Sequence, residues 1–321
     1  MLNRQSFQII QALSHGPKSY WELMRAIHGT IADSLTNLTA LIEAQAIAYV
    51  DGQFRLITDV YDALVRDDLD RIMASFQEVS RRRPEIVQEF YQGNISDADT
   101  LKRLHYIHAR GDLAHKRFLL LGDYDLFSIA LAMTGLPARV VVAELDERVV
   151  CHIATSAKQY NLPIEVVRYN CADPLPAQLH QQFDVFICDP IETESGIVTW
   201  LSRGITALSH PGALYFGLTE IECSAKIWHT IQRALTHMNT VCTDILPKFS
   251  YYPEENYDYR DTPLLQTAPF PLRDPDVMWY HSSYVRAETI DTPAPMVTGP
   301  IVFDQDFYRS PFSMTLSKDA W

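Results

Sequence analysis

The chain lacks the features of a disulfide-stapled, zinc-binding or membrane-spanning protein. Its 321 residues include five cysteines and no C-x-x-C pair, so we expect reduced thiols in a cytoplasmic protein. No run of 18 or more apolar residues occurs, which argues against a membrane span. The opening residues, MLNRQSFQII, have neither the apolar stretch nor the cleavage site of a signal peptide.

Basic charge is also scarce. The 27 Lys and Arg residues face 40 Asp and Glu residues, which gives a formal net charge of −13. Phosphate would be repelled, so we expect no binding to nucleic acid or anionic membranes, whereas a cationic partner is permitted. An acidic composition that serves only solubility would give the same net charge. The hydrophobic fraction of 47% is typical of a globular chain with a sizeable core, which excludes a disordered one.

Residues 1–60 predict a small separate domain. Amphipathic helices over 6–14, 20–28 and 31–45 precede a hairpin that turns at Asp51-Gly52. This order is that of a winged-helix domain. Its third helix has no Lys or Arg, so we favour dimerisation or packing over DNA binding and expect a homodimer.

The rest of the chain predicts a connector, a catalytic domain and an irregular end. Residues 61–95 are helical and rich in charge. Residues 96–250 alternate short apolar strands with helices, which is typical of an α/β, Rossmann-like, doubly wound sheet of the class I methyltransferase kind. The strands are predicted at 118–121, 139–143, 164–168, 183–188 and 213–216.

Residues 251–321 carry many prolines and aromatic residues and little helical periodicity. Their first part alternates aromatic and acidic side chains, which suits either a polyamine or an exposed acidic loop. These side chains are Tyr251, Tyr252, Glu254, Glu255, Tyr257, Asp258, Tyr259 and Asp261. We expect the segment from residue 303 to order over the site or onto another subunit.

Acidic residues follow several of the predicted strands, where doubly wound sheets bind their ligands. Asp123 and Asp125 follow the first strand, Glu144 ends the second and Asp189 follows the fourth. An acid at the end of the second strand commonly holds ribose hydroxyls. The first turn has one glycine, Gly122, in place of G-x-G-x-x-G, so an adenosyl cofactor without a pyrophosphate fits better.

The two aspartates of the first turn discriminate between adenosyl chemistries. Methyltransferases use this loop to accept the carboxylate of S-adenosylmethionine, which Asp123 and Asp125 would repel. The same carboxylates would attract the ammonium of decarboxylated S-adenosylmethionine. Attack by an amine on the carbon next to its sulfur is aminopropyl transfer, which needs a carboxylate to accept the proton of the amine. Plain helix capping by Asp123 and Asp125 is the alternative interpretation.

Several ordered motifs resemble those of the branched-chain polyamine synthases, the N4-bis(aminopropyl)spermidine synthases. The Gly-Asp-Asp-Asp motif of that family is similar to Gly122-Asp123-Tyr124-Asp125, and its Asp-Pro-Pro-Glu-Thr motif is similar to residues 189–193. Further similar blocks lie at 144–148, 200–205, 215–219 and 243–245. The resemblance covers about residues 90–260.

The resemblance implies transfer of an aminopropyl group from decarboxylated S-adenosylmethionine to a linear polyamine, with 5′-methylthioadenosine released and no metal required. It implies catalytic roles for Asp125, Asp123 and Asp189. The cofactor side would comprise Gly122, Asp123, Glu144, Asp146, Asn170 and Asp173. The acceptor side would comprise Tyr124, Glu192, Asp244 and Tyr251.

Two departures from the family pattern bear on the acceptor. Tyr124 replaces the middle aspartate of the first motif, which removes one negative charge and offers an aromatic face to a cation. Asn170 stands where the family has an acid after the third strand. Asp244 is either structural or acceptor-facing. A methyltransferase, an aminopropyltransferase with another amine acceptor and a polyamine-sensing regulator remain as alternatives.

Overall fold

The structure is a computed structural model that describes residues 2–59, 61–65, 68–87, 90–253, 268–304 and 307. Most of the predicted acidic and aromatic stretch, from Glu254 to Asp261, lies outside the described residues, as does the final segment beyond residue 307. The chain divides into two compact units. Unit 1 comprises Met1–Arg71 and Lys102–His115, and unit 2 comprises Ile72–Leu101 and Lys116–Trp321.

Unit 1 begins with the predicted three helices and hairpin. Their bounds are α1 (Arg4–Ser14), α2 (Tyr20–Ala26), α3 (Ile31–Glu43), β1 (Ile47–Val50) and β2 (Gln53–Leu56), followed by α4 (Asp62–Val65). Capping boxes begin α2 at Ser19 and α3 at Thr30. Leu38 and Leu41 of α3 are buried in the core of this unit, whereas Leu35 and Ile42 are exposed. The leucine and isoleucine side chains of α3 are therefore divided between the core and the surface.

Unit 2 contains a seven-stranded sheet in the order β5-β4-β3-β6-β7-β9-β8. The strands are β3 (Arg117–Leu121), β4 (Arg139–Glu144), β5 (Ile164–Arg168), β6 (Phe183–Cys188), β7 (Leu208–Thr219), β8 (Thr240–Tyr251) and β9 (His281–Thr289). The helices are α5 (Met73–Ser80), α6 (Asp97–Ala109), α7 (Phe127–Thr134), α8 (Glu147–Tyr160), α9 (Glu194–Ala207) and α10 (Ala225–His237), with the unit boundary inside α6. β3 to β7 are parallel, which confirms the α/β class.

Strand β9, the last in chain order, lies in the region that was predicted to be irregular. β9 pairs antiparallel with β7 on one side and β8 on the other. Tyr284, Val285 and Ala287 on this strand are buried, but Arg286 interrupts the apolar pattern. Arg286 is itself fully buried and donates hydrogen bonds to Tyr215 and Thr243. Because Arg286 is charged, hydropathy alone does not predict that β9 is a buried strand.

Within the described residues, no helix is long and apolar enough to cross a membrane.

Candidate active site

The candidate site lies at the carboxyl ends of β3, β4, β5 and β6, which share one edge of the sheet. The chain leaves β3 through Gly122, whose φ of 72° favours glycine. The Gly122 N–H donates to the carbonyl of Ala143 on β4 at 2.9 Å. The loop that carries Asp123, Tyr124 and Asp125 is thereby fixed beside the end of β4.

Glu144 connects the β3 loop to the β4 turn. Its carboxylate accepts the backbone N–H groups of Asp123 at 2.9 Å, Leu145 at 2.7 Å and Asp146 at 2.9 Å. Burial raises the pKa of Glu144, and these three donors oppose the shift. A carboxylate offers about four acceptor positions, so about one remains for a ligand hydroxyl.

Asp123 is buried at the start of α7. Its two carboxylate oxygens accept the N–H of Ser128 in the first turn of α7, with N···O distances of 3.3 and 3.2 Å. Burial raises the pKa of Asp123 well above its usual range, and the nearby charges of Asp125 and Glu144 raise it further. The side chain, in a residue only 3% exposed, shapes the loop.

Asp125 is the more accessible aspartate of this loop. Its side chain is half-buried, and Oδ1 accepts the Ile95 N–H at 2.7 Å. Its carbonyl oxygen accepts Nη2 of Arg83 at 3.3 Å. Asp125 therefore combines partial exposure with a fixed orientation, which a group that exchanges protons with a substrate requires.

Tyr124 points to residues 83 and 84. Its hydroxyl donates to the Pro84 carbonyl at 2.6 Å, and the Arg83 guanidinium carbon lies 5.6 Å from the ring centroid. Burial raises the pKa of the Tyr124 phenol. The sequence predicted a ring face for a substrate cation, but the cation on this ring is a side chain of the protein.

Asp146 uses both carboxylate oxygens within the protein. Oδ1 accepts the Arg148 N–H at 2.9 Å and so caps α8, while Oδ2 accepts Gln92 Nε2 at 2.7 Å and Arg148 Nη2 at 2.5 Å. Burial alone would raise the pKa of Asp146, but the donors outweigh it and the pKa is lowered. This residue organises the end of β4.

The turn after β5 contains Asn170 and Asp173. The Asn170 Oδ1 accepts the Ala172 N–H at 3.0 Å, and Asp173 is exposed. Behind the turn, the buried Arg203 of α9 donates to the Cys171 carbonyl at 3.2 Å. Asn170 and Asp173 therefore lie on a supported turn at the edge predicted for the adenine.

The two acids after β6 differ in exposure. Asp189 is exposed, and its Oδ1 accepts the Gly217 N–H at 2.8 Å. Glu192 is buried and accepts both the backbone N–H and the hydroxyl of Thr219, each at 2.6 Å. Burial and the neighbouring Glu222 raise the pKa of Glu192 well above its usual range. Asp189 is therefore the accessible acid of this motif.

Asp244 lies on β8, and its acceptor-side role stays a prediction. Asp244 pairs with Arg286 across β8 and β9, and Arg286 in turn lies opposite Tyr215 in the interior of β7. Its Oδ2 is 4.0 Å from Arg286 Nη1, a contact within the protein. Tyr251 does lie at the end of β8, where its ring centroid is 5.8 Å from that of His281.

Four residues at the site were not identified from the sequence. Arg83 and Gln92 contact the β3 and β4 loops, as described above, and the Tyr280 hydroxyl donates to Glu222 at 2.7 Å. None of the four belongs to a recognised motif. Tyr280 lies beyond the alternating aromatic and acidic residues at 251–261, so that pattern does not identify it. Among the described residues, no group of three or more His, Cys, Asp or Glu side chains could hold a metal ion.

Comparison with known proteins gives consistent matches. The sequence profile of the branched-chain polyamine synthase A C-terminal domain matches residues 71–315. An N(4)-bis(aminopropyl)spermidine synthase of Methanocaldococcus jannaschii is 38% identical over 222 residues, which are 68% of this chain and 63% of that protein. The synthase of Thermococcus kodakarensis is 36% identical over 228 residues, 70% of this chain and 64% of that protein. The chain therefore spans less than two thirds of the length of these relatives.

A solved structure is similar over most of the chain. The crystal structure of the branched-chain polyamine synthase from Thermus thermophilus, in complex with N4-aminopropylspermidine and 5′-methylthioadenosine, superposes with a TM-score of 0.68. The sequences are 28% identical, and the match covers 94% of this chain and 91% of that one.

Proposed function

The chain belongs to the branched-chain polyamine synthase A family, and we propose from this premise that it transfers an aminopropyl group from decarboxylated S-adenosylmethionine to an amine of a spermidine-like polyamine. The products are an aminopropylated polyamine and 5′-methylthioadenosine. The polyamine substrate is supported by the N4-aminopropylspermidine bound in the Thermus thermophilus structure.

One observation carries this proposal: the accessible acids at the carboxyl ends of β3 and β6. Asp125 is half-buried and Asp189 is exposed. A cationic donor that lacks the α-carboxylate avoids repulsion there, and a polyammonium acceptor gains attraction. The observation favours decarboxylated S-adenosylmethionine over S-adenosylmethionine.

The proposed chemistry is a direct displacement. The nitrogen lone pair of the acceptor forms a bond to the propyl carbon next to the sulfonium, and the carbon–sulfur bond breaks with its electrons left on sulfur. The amine loses one proton, which Asp125 or Asp189 accepts as general base. The leaving group is then a neutral thioether, and the carboxylate that accepts the proton becomes a neutral carboxylic acid. The positive charge of the sulfonium is thereby cancelled in the site until the product amine takes the proton back.

On the nucleoside side, Glu144 accepts a ribose hydroxyl through the acceptor position that its three backbone donors leave. Gly122 lets the β3 loop approach the nucleoside closely, Asp123 and Asp146 hold the surrounding loops, and Asn170 and Asp173 face the adenine. Few of these side chains bind the reacting groups, and the others fix the shape of the site.

On the acceptor side, Asp189 holds an ammonium of the polyamine, and Tyr251 offers it a ring face. Glu192 lies behind Asp189 and supports the Thr219 end of β7 through its two hydrogen bonds. Tyr124 and Asp244 have no direct contact with the acceptor in this proposal, because their contacts lie with Pro84 and Arg83 and with Arg286.

Calorimetry tests the proposal against a methyltransferase. We expect decarboxylated S-adenosylmethionine to bind more tightly than S-adenosylmethionine by tenfold or more, because a carboxylate–carboxylate repulsion of about 1.4 kcal/mol suffices for that ratio. A preference for S-adenosylmethionine would contradict the proposal and favour methyl transfer. Equal turnover with a simple monoamine would favour the alternative of a non-polyamine acceptor.

We also propose that residues 1–60 are a winged-helix domain used for packing or dimerisation. The absence of Lys and Arg from α3 supports this use over DNA binding. The exposed Ile31, Leu35 and Ile42 on α3 support a protein partner. Sedimentation should give about twice the chain mass of 36.7 kDa; a monomer at micromolar concentration would contradict the dimer.

A further inference from the structure

A segment before α6 is hydrogen-bonded to the loops of the candidate site. We call residues 83–87 and 90–95 the strap. Arg148 Nη1 donates to the Glu85 carbonyl at 3.1 Å, and Gln92 Nε2 donates to Asp146 Oδ2 at 2.7 Å. The Val87 N–H donates to Gln92 Oε1 at 2.9 Å, so the two parts of the strap are also joined to each other.

The two ends of the strap both contact Asp125. At one end, Arg83 Nη2 donates to the Asp125 carbonyl at 3.3 Å. At the other end, the Ile95 N–H donates to the Asp125 carboxylate at 2.7 Å. The position of Asp125 therefore depends on where the strap lies.

Tyr124 fixes the first end of the strap. Its hydroxyl donates to the Pro84 carbonyl at 2.6 Å, and its ring lies under the Arg83 guanidinium. An aspartate at this position could not reproduce either contact. Its carboxylate would repel the carbonyl oxygen of Pro84, and it has no ring face for Arg83.

We propose that Tyr124 and Arg83 are positioning residues that hold the strap against the β3 loop and thereby orient Asp125 for proton transfer. This inference rests on the proposed function, in which Asp125 is a reacting carboxylate. It assigns a role to the residue by which this chain departs from the Gly-Asp-Asp-Asp pattern: the lost negative charge is replaced by fixed geometry. A general base that is held in place contributes more than one that rotates freely.

Tyr124→Phe tests the role of the hydroxyl, because it keeps the ring under Arg83 and removes only the bond to Pro84. We expect kcat to fall about fivefold, the worth of one hydrogen bond, with less than a twofold change in KM for decarboxylated S-adenosylmethionine. The acid limb of the pH–rate profile should move to higher pH, because the Asp125 carboxylate is less well held by the Ile95 N–H. Tyr20→Phe is the matched control, since it removes a hydroxyl that bonds Ser34 at 2.9 Å in unit 1.

Arg83→Met and Arg83→Lys test the guanidinium. We expect Arg83→Met to lower kcat about tenfold and Arg83→Lys to recover part of that loss, because lysine keeps a cation over the ring. A purely structural role would lower thermal stability and leave the pH profile in place. Loss of kcat without a shift of the acid limb, in both Tyr124→Phe and Arg83→Met, would overturn the inference.

Amide hydrogen exchange separates this inference from the proposed function. Exchange at Ile95 should be faster in Tyr124→Phe than in the wild type and unchanged in Tyr20→Phe, whether or not the protein transfers aminopropyl groups. If the wild type transfers none to any amine, the proposed function fails and the exchange result alone decides on the strap. Unchanged exchange at Ile95 in Tyr124→Phe would overturn the inference.

Discussion

The acids of the candidate site divide by exposure. Asp123, Glu144 and Glu192 are buried and accept hydrogen bonds from within the protein, while Asp125 is half-buried and Asp189 is exposed. A buried acid with raised pKa is a poor partner for an incoming ammonium, because its charge is already costly. The accessible pair is therefore better suited to the substrate, and the buried acids fix the loops that carry it.

Asp125→Asn tests this division directly. The substitution keeps shape and the acceptor for Ile95 but removes the charge and the proton acceptor, so we expect turnover to fall about 10²- to 10⁴-fold with thermal stability nearly unchanged. Initial rates and a thermal melt measure the two effects. Asp291→Asn, an exposed aspartate whose side chain accepts only the Thr292 N–H among the contacts described here, serves as control. Turnover within threefold of wild type would contradict the role of Asp125.

The strand-end acids could be predicted because each depends on a short stretch of sequence. Asp123, Glu144 and Asp189 each follow or end an apolar strand, so their edge of the sheet is readable from periodicity. The partner of Tyr124 could not be predicted, because Arg83 lies 41 residues earlier and no local pattern joins the two. The acceptor-side role of Asp244 was implied by resemblance and stays a prediction. Its pairing with Arg286 could not be predicted, because it depends on β9, which hydropathy did not reveal.

Helix α9 packs closely against β6. A Cβ added at Gly204 would overlap the ring of Phe186 on β6, so a side chain here forces the helix away from the strand. Both residues are buried in the core. Gly204 is in one of the blocks that resemble the family, and close packing is its evident role.

Gly204→Ala should therefore destabilise unit 2. We expect a loss of about 1–3 kcal/mol in the free energy of unfolding, typical of overpacking. Denaturant unfolding measures this loss. Ser195→Ala, at an exposed position of the same helix, is the control and should change stability by less than about 0.5 kcal/mol. Unchanged stability in Gly204→Ala would contradict the close packing of α9 on β6.

An ion pair joins the amino ends of β3 and β6. The Asp184 carboxylate accepts the backbone N–H of Arg117 at 2.9 Å and its guanidinium at 3.0 and 2.8 Å. Burial alone would raise the pKa of Asp184, but the hydrogen bonds and charge of Arg117 outweigh it, so the pKa is lowered. The folded state therefore binds this proton more weakly than the unfolded state does.

The lowered pKa predicts a pH-dependent effect of Asp184→Asn. We expect about 2 kcal/mol of destabilisation at pH 7. The stabilisation by Asp184 is present above its unfolded pKa of about 3.9 and is lost as pH falls through the lower folded value, so the two proteins should converge there. Urea unfolding at a series of pH values measures this. Glu165→Gln removes a more exposed pair with Arg139 and should cost less than about 1 kcal/mol; a pH-independent difference for Asp184→Asn would contradict the account.

Sequence patterns predict some secondary-structure elements better than others. The parallel strands β3 to β6 were predicted within a few residues because each is a short segment made mostly of apolar residues. β7 is longer than predicted, since Ser209, His210 and Pro211 are polar or cyclic yet lie within the strand. The division of the chain at 60, 95 and 250 stays a prediction, because compactness separates only two units and places one boundary inside α6.

At the scale of the whole molecule, part of the net charge of −13 can be assigned to particular groups of acids. Several of the acids are grouped at one edge of the sheet in unit 2, and a further group lies among residues 254–261, outside the described residues. Total charge alone is equally consistent with solubility. The placement of Asp125 and Asp189 at the edge that we propose binds the nucleoside is what favours a cationic substrate.

Product mass tests the central claim most directly. The wild-type protein is incubated with decarboxylated S-adenosylmethionine and a panel of amines that includes spermidine, shorter diamines and a monoamine, and the products are analysed by mass spectrometry. We predict a polyamine that has gained one or two aminopropyl units together with an equal amount of 5′-methylthioadenosine for each unit, and loss of both products in Asp125→Asn. An unchanged polyamine mass with every acceptor, or methyl transfer from S-adenosylmethionine instead, would contradict the account.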